Sequence, residues 1–336
     1  MSTQEKSRRV IVTGAAGFVG FHLAARLLDE GIPVLGIDNL NPYYDPALKR
    51  ARLARLEGRD GFSFEAADLA EPERIRALFE DFAPTEVVNL AAQAGVRYSL
   101  DNPRAYLSAN VDGFLSVLEA CRFVPVRHLV YASSSSVYGA STAVPFSEAD
   151  RADRPLSLYA ATKRANELMA HTYAHLFGVP ATGLRFFTVY GPWGRPDMAY
   201  YKFTQAIFAG EPIEVFNGGR MSRDFTYVDD VVEAMVRLLD HPPRGAAGDP
   251  DAAPHALYNI GNHTPVALER FIAVIEAATG RTARRVDRPM QPGDVPATYA
   301  DVSGLAAAVG FAPRTSIEDG IARFVAWFRD YHRIAG

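Results

Sequence analysis

The chain has 336 residues, 48% of them hydrophobic, which is enough for a large core or for two fused lobes. Its 35 basic and 39 acidic residues give a net charge of −4, which offers no basic field for nucleic acid or an anionic membrane surface. The single cysteine, Cys121, excludes an intramolecular disulfide. There is no apolar N-terminal run typical of a secretion signal, and no segment has the roughly 20 apolar residues that span a bilayer. We therefore expect a soluble, cytoplasmic protein that binds a small ligand, with no nucleic-acid or membrane partner and no metal site.

The first half of the chain alternates short β-branched runs with helical patterns. In chain order these are "RVIVTG", Phe18 to Glu30, "PVLGID", a helix ending near Leu56, "FSFEAAD", Pro72 to Phe82, "EVVNLAA", about Pro103 to Cys121, "HLVYASS", about Ser157 to Phe177 and "ATGLRFF". Strand runs that are apolar on both faces and separated by helices indicate a parallel sheet covered on both sides. The sequence therefore predicts an α/β fold with a doubly wound parallel sheet.

The alternation ends after Phe187, where "TVYGPWGRPDM" is dense in glycine and proline. We expect a second, smaller lobe to begin there. The segment His241 to His255 mixes Pro, Gly and Ala without periodicity and is typical of a surface loop. Helices over Val266 to Thr279 and Ile317 to Tyr331 are expected to complete the C-terminal lobe.

A glycine pattern at the first strand-to-helix turn is typical of a dinucleotide site. "VTGAAGFVG" places Gly14, Gly17 and Gly20 where absent side chains let backbone N–H groups and a helix N-terminus approach a pyrophosphate. Asp38 ends the second strand, close to where a carboxylate would bind an adenosine ribose and repel a 2′-phosphate. Taken alone, the glycines also fit an ordinary tight turn and Asp38 a helix cap. Together they favour a Rossmann sheet that binds NAD rather than NADP.

A second pattern, "SLYAATKRANE", is typical of a catalytic pair. Tyr159 and Lys163 are four residues apart, so on a helix they share one face. An ammonium group near a phenol lowers the phenol pKa and makes Tyr159 a usable base. Tyr159 and Lys163 alone would more often be a core tyrosine and a solvated lysine. Their position after a glycine-rich turn and a serine-tipped strand favours catalysis.

Shared motifs relate the whole chain to a known family. The chain contains "TGAAGFVG", "DL" at Asp68 and Leu69, "LAAQAGV", "SSSSVYG", "YAATK", "LRFF" and "RDFTYVDD". These motifs resemble those of the extended short-chain dehydrogenase/reductase family, which acts on nucleotide sugars. The longer stretches "LAAQAGVRYSL", "LYAATKRANELMAHTY", "LRFFTVYGPWGRPDM" and "MQPGDVPATYAD" are similar to those of the UDP-glucuronate 4-epimerases.

The resemblance implies an NAD-dependent isomerase that inverts C4 of UDP-glucuronate through a 4-keto intermediate, giving UDP-galacturonate. It implies an NAD-binding Rossmann domain over residues 7–187 plus about 224–262, and a UDP-sugar-binding lobe over about 188–223 plus 263–336. It also implies a homodimer packed through the helices that begin near Pro103 and Ser157. The implied NAD-binding residues are Gly14, Gly17, Phe18, Val19, Gly20, Asp38, Asn39, Asp68, Leu69, Ala91, Ala92, Tyr159 and Lys163.

The serine run "SSSSVYG" separates this chain from sister reactions. By the resemblance, Ser134 hydrogen-bonds the sugar O4 and relays its proton to Tyr159. Ser136 stands where 4,6-dehydratases and UDP-glucuronate decarboxylases carry a glutamate. Without that carboxylate the resemblance favours epimerisation. Ser135 is included among the expected substrate contacts, although a small polar loop would also explain it.

The remaining substrate contacts also follow from the resemblance. A ketone at C4 is β to the C6 carboxylate, so the site must hold that carboxylate against loss of carbon dioxide; the candidates are Ser136, Thr188 and Arg195, whose guanidinium suits a carboxylate. For the other parts of the substrate the matching residues are Arg223 at the diphosphate, Asp294 at the uridine ribose, Phe216 at the uracil, and Arg97 near the sugar in a role that we leave unassigned.

Other functions stay open at this point. A UDP-hexose 4-epimerase would share the motifs, while a decarboxylase or dehydratase is disfavoured by Ser136. A protein that senses NAD without turnover belongs to another class, and it would not need Tyr159, Lys163 and Ser134 together.

Overall fold

The structure, a computed structural model, describes residues 8–141, 143–245, 252–290 and 295–334. Its strands are β1 Val10–Thr13, β2 Val34–Asp38, β3 Phe62–Ala66, β4 Glu86–Asn89, β5 His128–Ser134, β6 Ala181–Phe186, β7 Thr188–Tyr190, β8 Pro212–Phe216, β9 Ser222–Tyr227, β10 His255–Ile260, β11 Pro265–Ala267 and β12 Arg284–Arg288. Its α-helices are α1 Phe18–Asp29, α2 Pro46–Leu53, α3 Pro72–Phe82, α4 Tyr98–Asp101, α5 Pro103–Tyr106, α6 Gly113–Phe123, α7 Leu158–Phe177, α8 Ala199–Ala209, α9 Val228–Leu238, α10 Leu268–Thr279, α11 Ser303–Val309 and α12 Ile317–Tyr331.

The chain folds into two units, the first of which carries the large sheet. Unit 1 comprises residues 1–139, 151–185 and 235–258. It contains a seven-stranded sheet of order β10-β6-β5-β4-β1-β2-β3, in which β1 is parallel to both β2 and β4, β2 to β3, and β4 to β5. Every residue of β1 is buried, as expected for a strand covered on both faces. The predicted α/β fold with a Rossmann-type sheet is confirmed.

Unit 2 comprises residues 140–150, 186–234 and 259–336. It contains a three-stranded sheet of order β11-β9-β7 and a two-stranded sheet of β12 and β8. Strand β9 is parallel to β7 and antiparallel to β11. This is the smaller C-terminal lobe that the break in the alternation predicts.

The division differs from the predicted boundaries in four segments. Residues 140–150, 224–234, 259–262 and 186–187 belong to unit 2. The first segment is tied to unit 2 because Phe146 N–H donates to Tyr299 O at 2.7 Å and Asp301 N–H donates to Phe146 O at 3.0 Å. The second begins inside β9, whose strand partners all lie in unit 2.

Several helices differ in extent from the predictions. The expected helix from Pro103 to Cys121 is divided into α5, a π-helical turn at Leu107–Asp112 and α6. Helix α10 begins at Leu268, because Val266 pairs with β9 as part of β11. Helix α12 spans Ile317–Tyr331 as predicted, whereas residues 246–251 of the expected surface loop lie outside the described residues.

The described residues contain neither a membrane-spanning helix nor a cluster of metal ligands. None of the described helices is long and apolar enough to cross a membrane. Within the same ranges, no group of three or more His, Cys, Asp and Glu side chains is arranged to hold a metal ion.

Candidate active site

The glycine-rich turn after β1 is too crowded for side chains. Gly14 has a φ of +70°, and its N–H donates to Ile37 O at 2.7 Å. A Cβ on Gly14 would lie 2.8 Å from Ala91 N, and a Cβ on Gly20 would lie 2.1 Å from Gly14 O. A Cβ on Gly17 would lie 2.8 Å from that same oxygen. The turn therefore keeps its backbone open to a ligand only with glycine at these positions.

The turn leads directly into α1, whose N-terminus suits an anion. Gly17 is the N-cap in extended conformation, with no side-chain hydrogen bond to the helix end. The first turn contains Phe18, Val19 and Gly20 and carries no acidic side chain. No acidic side chain of the first turn therefore occupies the positive end of the helix dipole, which suits a pyrophosphate.

Asp38, at the end of β2, is 6% exposed and already hydrogen-bonded. Its carboxylate accepts from Ala16 N–H at 3.2 Å and from Leu40 N–H at 2.8 Å. The ammonium of Lys49, on α2, lies 3.6 Å from Asp38 Oδ1 and is also buried. Sequence reasoning missed Lys49, since a lysine in an Arg-rich helix is usually solvated.

The other expected NAD-binding residues lie in the loops after β2, β3 and β4. The Asn39 amide donates to Asp68 Oδ2 at 2.9 Å, which joins the first two loops. Leu69 is buried. Ala91 N–H donates to Thr13 Oγ1 at 3.1 Å, and Ala92 follows at a half-buried position. All of these expected residues belong to unit 1.

Helix α7 carries the expected catalytic pair. Its N-cap Ser157 accepts from Ala160 N–H at 3.1 Å, which fixes the first turn and with it the half-buried Tyr159. Lys163 is 3% exposed, and its ammonium donates to Ala132 O at 2.9 Å. Burial lowers the pKa of Lys163 to about 8. The lysine is therefore still mostly protonated at neutral pH, one helical turn from Tyr159.

The four serines have different environments. Ser134 ends β5, is buried, and accepts from Ser136 N–H at 3.2 Å as the cap of a 3₁₀ turn. Ser135 and Ser136 lie in that turn and are half-buried. Ser133 points the other way and donates to Glu167 Oε1 at 2.6 Å, because neighbouring strand residues face opposite sides of a sheet.

Glu167 is the centre of a buried ionic cluster that sequence reasoning missed. Arg185, from the "LRFF" motif, donates through Nε at 2.8 Å and through Nη2 at 2.9 Å to the two carboxylate oxygens. Arg164 adds a third contact at 2.7 Å. Hydrogen bonds and charge from Arg185 hold the pKa of Glu167 below its usual value despite burial. The cluster joins β5, β6 and α7 directly behind Ser134.

Two of the expected substrate residues of unit 2 lie at or after β7. Thr188 begins β7 and is half-buried. The Arg195 guanidinium donates to both carboxylate oxygens of Asp197, through Nε at 3.0 Å and Nη2 at 2.5 Å. Its backbone N–H donates to Tyr200 Oη at 3.2 Å, which fixes the loop. Asp197 is thus a partner of Arg195 that the sequence did not predict.

The remaining expected residues are dispersed. Arg223, on β9, donates through Nη1 to Ser222 O at 2.8 Å and to Pro296 O at 3.2 Å. Phe216 ends β8 and is half-buried. Arg97 is exposed at the start of α4, in unit 1. Asp294 lies outside the described residues.

Comparisons with known proteins agree with this geometry. The sequence profile described as "NAD dependent epimerase/dehydratase family" matches residues 10–261. The chain is 51% identical to "Protein CapI" of Staphylococcus aureus, over 97% of this chain and 99% of that protein. It is 50% identical to "Probable UDP-glucuronate 4-epimerase" of Rhizobium meliloti, over 97% of this chain and 98% of that protein. The crystal structure of UDP-glucuronic acid 4-epimerase from Bacillus cereus in complex with UDP-glucuronic acid and NAD matches with a TM-score of 0.86 and 31% identity, over 96% of this chain and 99% of that one.

Proposed function

Since the chain belongs to the NAD dependent epimerase/dehydratase family, we propose that it converts UDP-glucuronate to UDP-galacturonate by NAD-dependent epimerisation at C4. The observation that carries the proposal is 50% identity to a probable UDP-glucuronate 4-epimerase over almost the full length of both chains. The Bacillus cereus enzyme, crystallised with UDP-glucuronic acid and NAD, supports the same reaction by its fold.

The residues of unit 1 fit NAD. The glycine turn leaves no space for a Cβ, and the uncapped N-terminus of α1 would hold the diphosphate. Asp38 would bind the adenosine ribose, with Lys49 beside it. When bound, the nicotinamide accepts the C4 hydride and later returns it. Because the same cofactor is oxidised again in each cycle, NAD acts catalytically.

Tyr159, Lys163 and Ser134 would move the proton of the 4-hydroxyl. Tyr159 takes that proton, with the Ser134 hydroxyl as a bridge, while C4 is oxidised to a ketone. The Lys163 ammonium, held by Ala132 O, stabilises the phenolate that the transfer requires. The sugar then rotates about its diphosphate link and presents its other face, so the returned hydride inverts C4.

The C6 carboxylate must be held during the ketone stage. We assign this role to Ser136, Thr188 and Arg195, because hydroxyl and guanidinium donors hold a carboxylate without supplying an acid at C6. Asp197 orients the Arg195 guanidinium, and its donors would be shared between Asp197 and the substrate carboxylate. Ser136, in place of a glutamate, leaves the site without the carboxylate of the sister reactions.

Unit 2 is the proposed UDP-sugar lobe. In this proposal Arg223 contacts the diphosphate, Phe216 the uracil and Asp294 the uridine ribose. Arg97 and Ser135 remain near the sugar without an assigned step.

Parallel incubations separate the candidate functions. The purified protein is mixed with UDP-glucuronate or with UDP-glucose, and the epimerised product, UDP-xylose and unchanged substrate are resolved by chromatography. We expect UDP-galacturonate. UDP-xylose as the main product would indicate a decarboxylase, conversion only of UDP-glucose would indicate a hexose epimerase, and no product with bound NAD would indicate a sensing protein.

We further propose that the protein is a homodimer. Four leucines on adjoining helical elements of unit 1 are between 39% and 57% exposed: Leu107, Leu115, Leu168 and Leu176. Leu107 and Leu115 are eight residues apart, on the π-helical turn and α6, and Leu168 and Leu176 are eight residues apart on α7. This spacing places the two members of each pair on the same broad face of their helical element. Sedimentation of the wild type and of a Leu115→Glu/Leu168→Glu variant tests this proposal. We expect the wild type to be a dimer and the variant to be a monomer. A monomeric wild type would contradict the proposal.

A further inference from the structure

The loop after β2, residues 39–45, has a fixed shape. Asn41 N–H donates to Asn39 Oδ1 at 3.0 Å, and Tyr43 N–H donates to Asn41 Oδ1 at 2.7 Å. Leu40 adopts a φ of +52°, which is uncommon for a residue with a side chain. We call residues 39–45 the strap.

Tyr44 fastens the strap on the side of the glycine-rich turn. Arg52, on α2, is fully buried, and its Nη1 donates to Tyr44 Oη at 2.8 Å and to Ala16 O at 2.9 Å. Ala16 is part of the turn between β1 and α1. One arginine therefore joins the strap to the turn that would hold the diphosphate.

Tyr43 fastens the strap on the opposite side. Its ring centroid lies 4.9 Å from that of Tyr98, at the start of α4. Its hydroxyl lies against Gly95, where a Cβ would come within 2.7 Å of the Tyr43 oxygen. Gly95 has a φ of +99°, so both the backbone and the space require glycine here. The Asn102 amide donates to Tyr98 Oη at 3.0 Å and orients the second ring.

The docking point of Tyr43 is itself rigid. Tyr106 is fully buried, and its hydroxyl lies 2.9 Å from Ala94 O and 2.5 Å from Gly95 O. Its ring lies 6.2 Å from that of Tyr98 and, edge to face, 6.1 Å from that of Tyr159. Four tyrosines thus form a continuous series of ring contacts from the strap to the candidate catalytic base.

The strap crosses the place expected for the dinucleotide. Strands β2 and β4 lie on either side of β1, and the carboxyl ends of parallel strands meet at one edge of the sheet. A contact between the segments after β2 and β4 therefore passes over the turn after β1. We propose that Tyr43 and Tyr98 close this strap over bound NAD, as positioning residues that retain the cofactor.

This inference rests on the proposed function, which requires NADH to stay bound between the two hydride transfers. The hydride removed from C4 must return from the same nicotinamide. If NADH left at the ketone stage, each event would release one NADH, one 4-keto sugar and one proton, and the enzyme would stop until it bound new NAD. A closed strap prevents that loss, since release requires the two rings to separate.

The test measures cofactor release rather than activity. Wild type and variants are loaded with NADH, then mixed with excess NAD, and the fall in bound-NADH fluorescence gives the release rate. We expect Tyr43→Ala and Tyr98→Ala each to release NADH about 10-fold faster, as loss of a ring contact should mainly raise an off-rate. The double variant should be no faster than the faster single variant, because both substitutions remove one contact. Tyr43→Phe, which keeps the ring, should stay within about twofold of wild type.

A matched tyrosine of the same unit provides the control. Tyr173 is half-buried on α7 and donates to Glu119 Oε1 at 2.6 Å, outside the strap. Tyr173→Ala should release NADH at the wild-type rate. The proposal is overturned if Tyr43→Ala releases NADH at the wild-type rate. It is also overturned if the two substitutions multiply each other's effect on the release rate in the double variant. If an alanine variant does not fold, Tyr43→Leu replaces it under the same criterion. A wild type that binds no NADH contradicts the proposed function instead.

Discussion

Replacing Arg195 by alanine tests whether the substrate is an acidic sugar. The guanidinium faces Asp197 with two donors, at 3.0 and 2.5 Å, so the side chain is already oriented for a planar carboxylate. A charge-assisted contact contributes about 1.5 to 3 kcal/mol, so its loss should weaken UDP-glucuronate binding by about 10- to 150-fold. Because Asp197 must share the donors with the substrate, we expect the lower part of that range.

Calorimetric titration of NAD-loaded protein measures the effect. UDP-glucose lacks the carboxylate and should lose much less affinity than UDP-glucuronate. Arg195→Lys keeps the charge without the two-donor geometry and should recover only part of the loss. Decarboxylated by-product should rise relative to epimer in Arg195→Ala, because the carboxylate is less restrained. Equal weakening of both ligands would refute the reasoning and place Arg195 at the shared diphosphate.

Three further substitutions or conditions test the rest of the site. Tyr159→Phe should lower turnover by at least about 100-fold while UDP-sugar binding persists, because only the base is removed; near-normal turnover would remove Tyr159 from catalysis. Asp38→Ala should weaken NAD more than NADP in binding titrations, since it removes the ribose acceptor and leaves Lys49 available to a 2′-phosphate; an equal loss for both would place Asp38 outside the pocket. In a pH profile, turnover should fall above about pH 8 as Lys163 loses its proton, and a constant rate to pH 10 would argue against its role.

Features set by neighbours in sequence could be predicted. The glycine turn and the course of α7 follow from short-range patterns: three glycines after a β-branched run, and a Ser157 cap before an amphipathic stretch. The order of strands and helices along unit 1 could likewise be predicted from periodicity alone. These are the elements whose conformation depends on residues only a few positions away.

Features set by distant residues could not be predicted. Ser133 and Glu167 are 34 positions apart, and no local pattern shows that one serine of four faces an ionic cluster. The pairing of Asp38 with Lys49 depends on how α2 packs against the sheet edge. The transfer of residues 140–150 to unit 2 depends on Phe146 pairing with Tyr299 and Asp301, more than 150 residues later.

As pH rises and Lys163 loses its proton, this residue should destabilise the folded state less, while turnover should fall. Burial lowers the lysine pKa from 10.5 to about 8, so the folded state binds this proton more weakly than the unfolded state. The resulting penalty, roughly 3 kcal/mol, is complete below pH 8 and disappears as pH rises toward 10.5. Buried Cys121 and Tyr131 have raised pKa values and oppose this trend, so the comparison must be with Lys163→Met at each pH. The variant should be more stable at pH 7, by an amount that vanishes near pH 10.5, and inactive throughout. A stability difference that does not change with pH would mean that Lys163 affects stability through its packing and not through its charge.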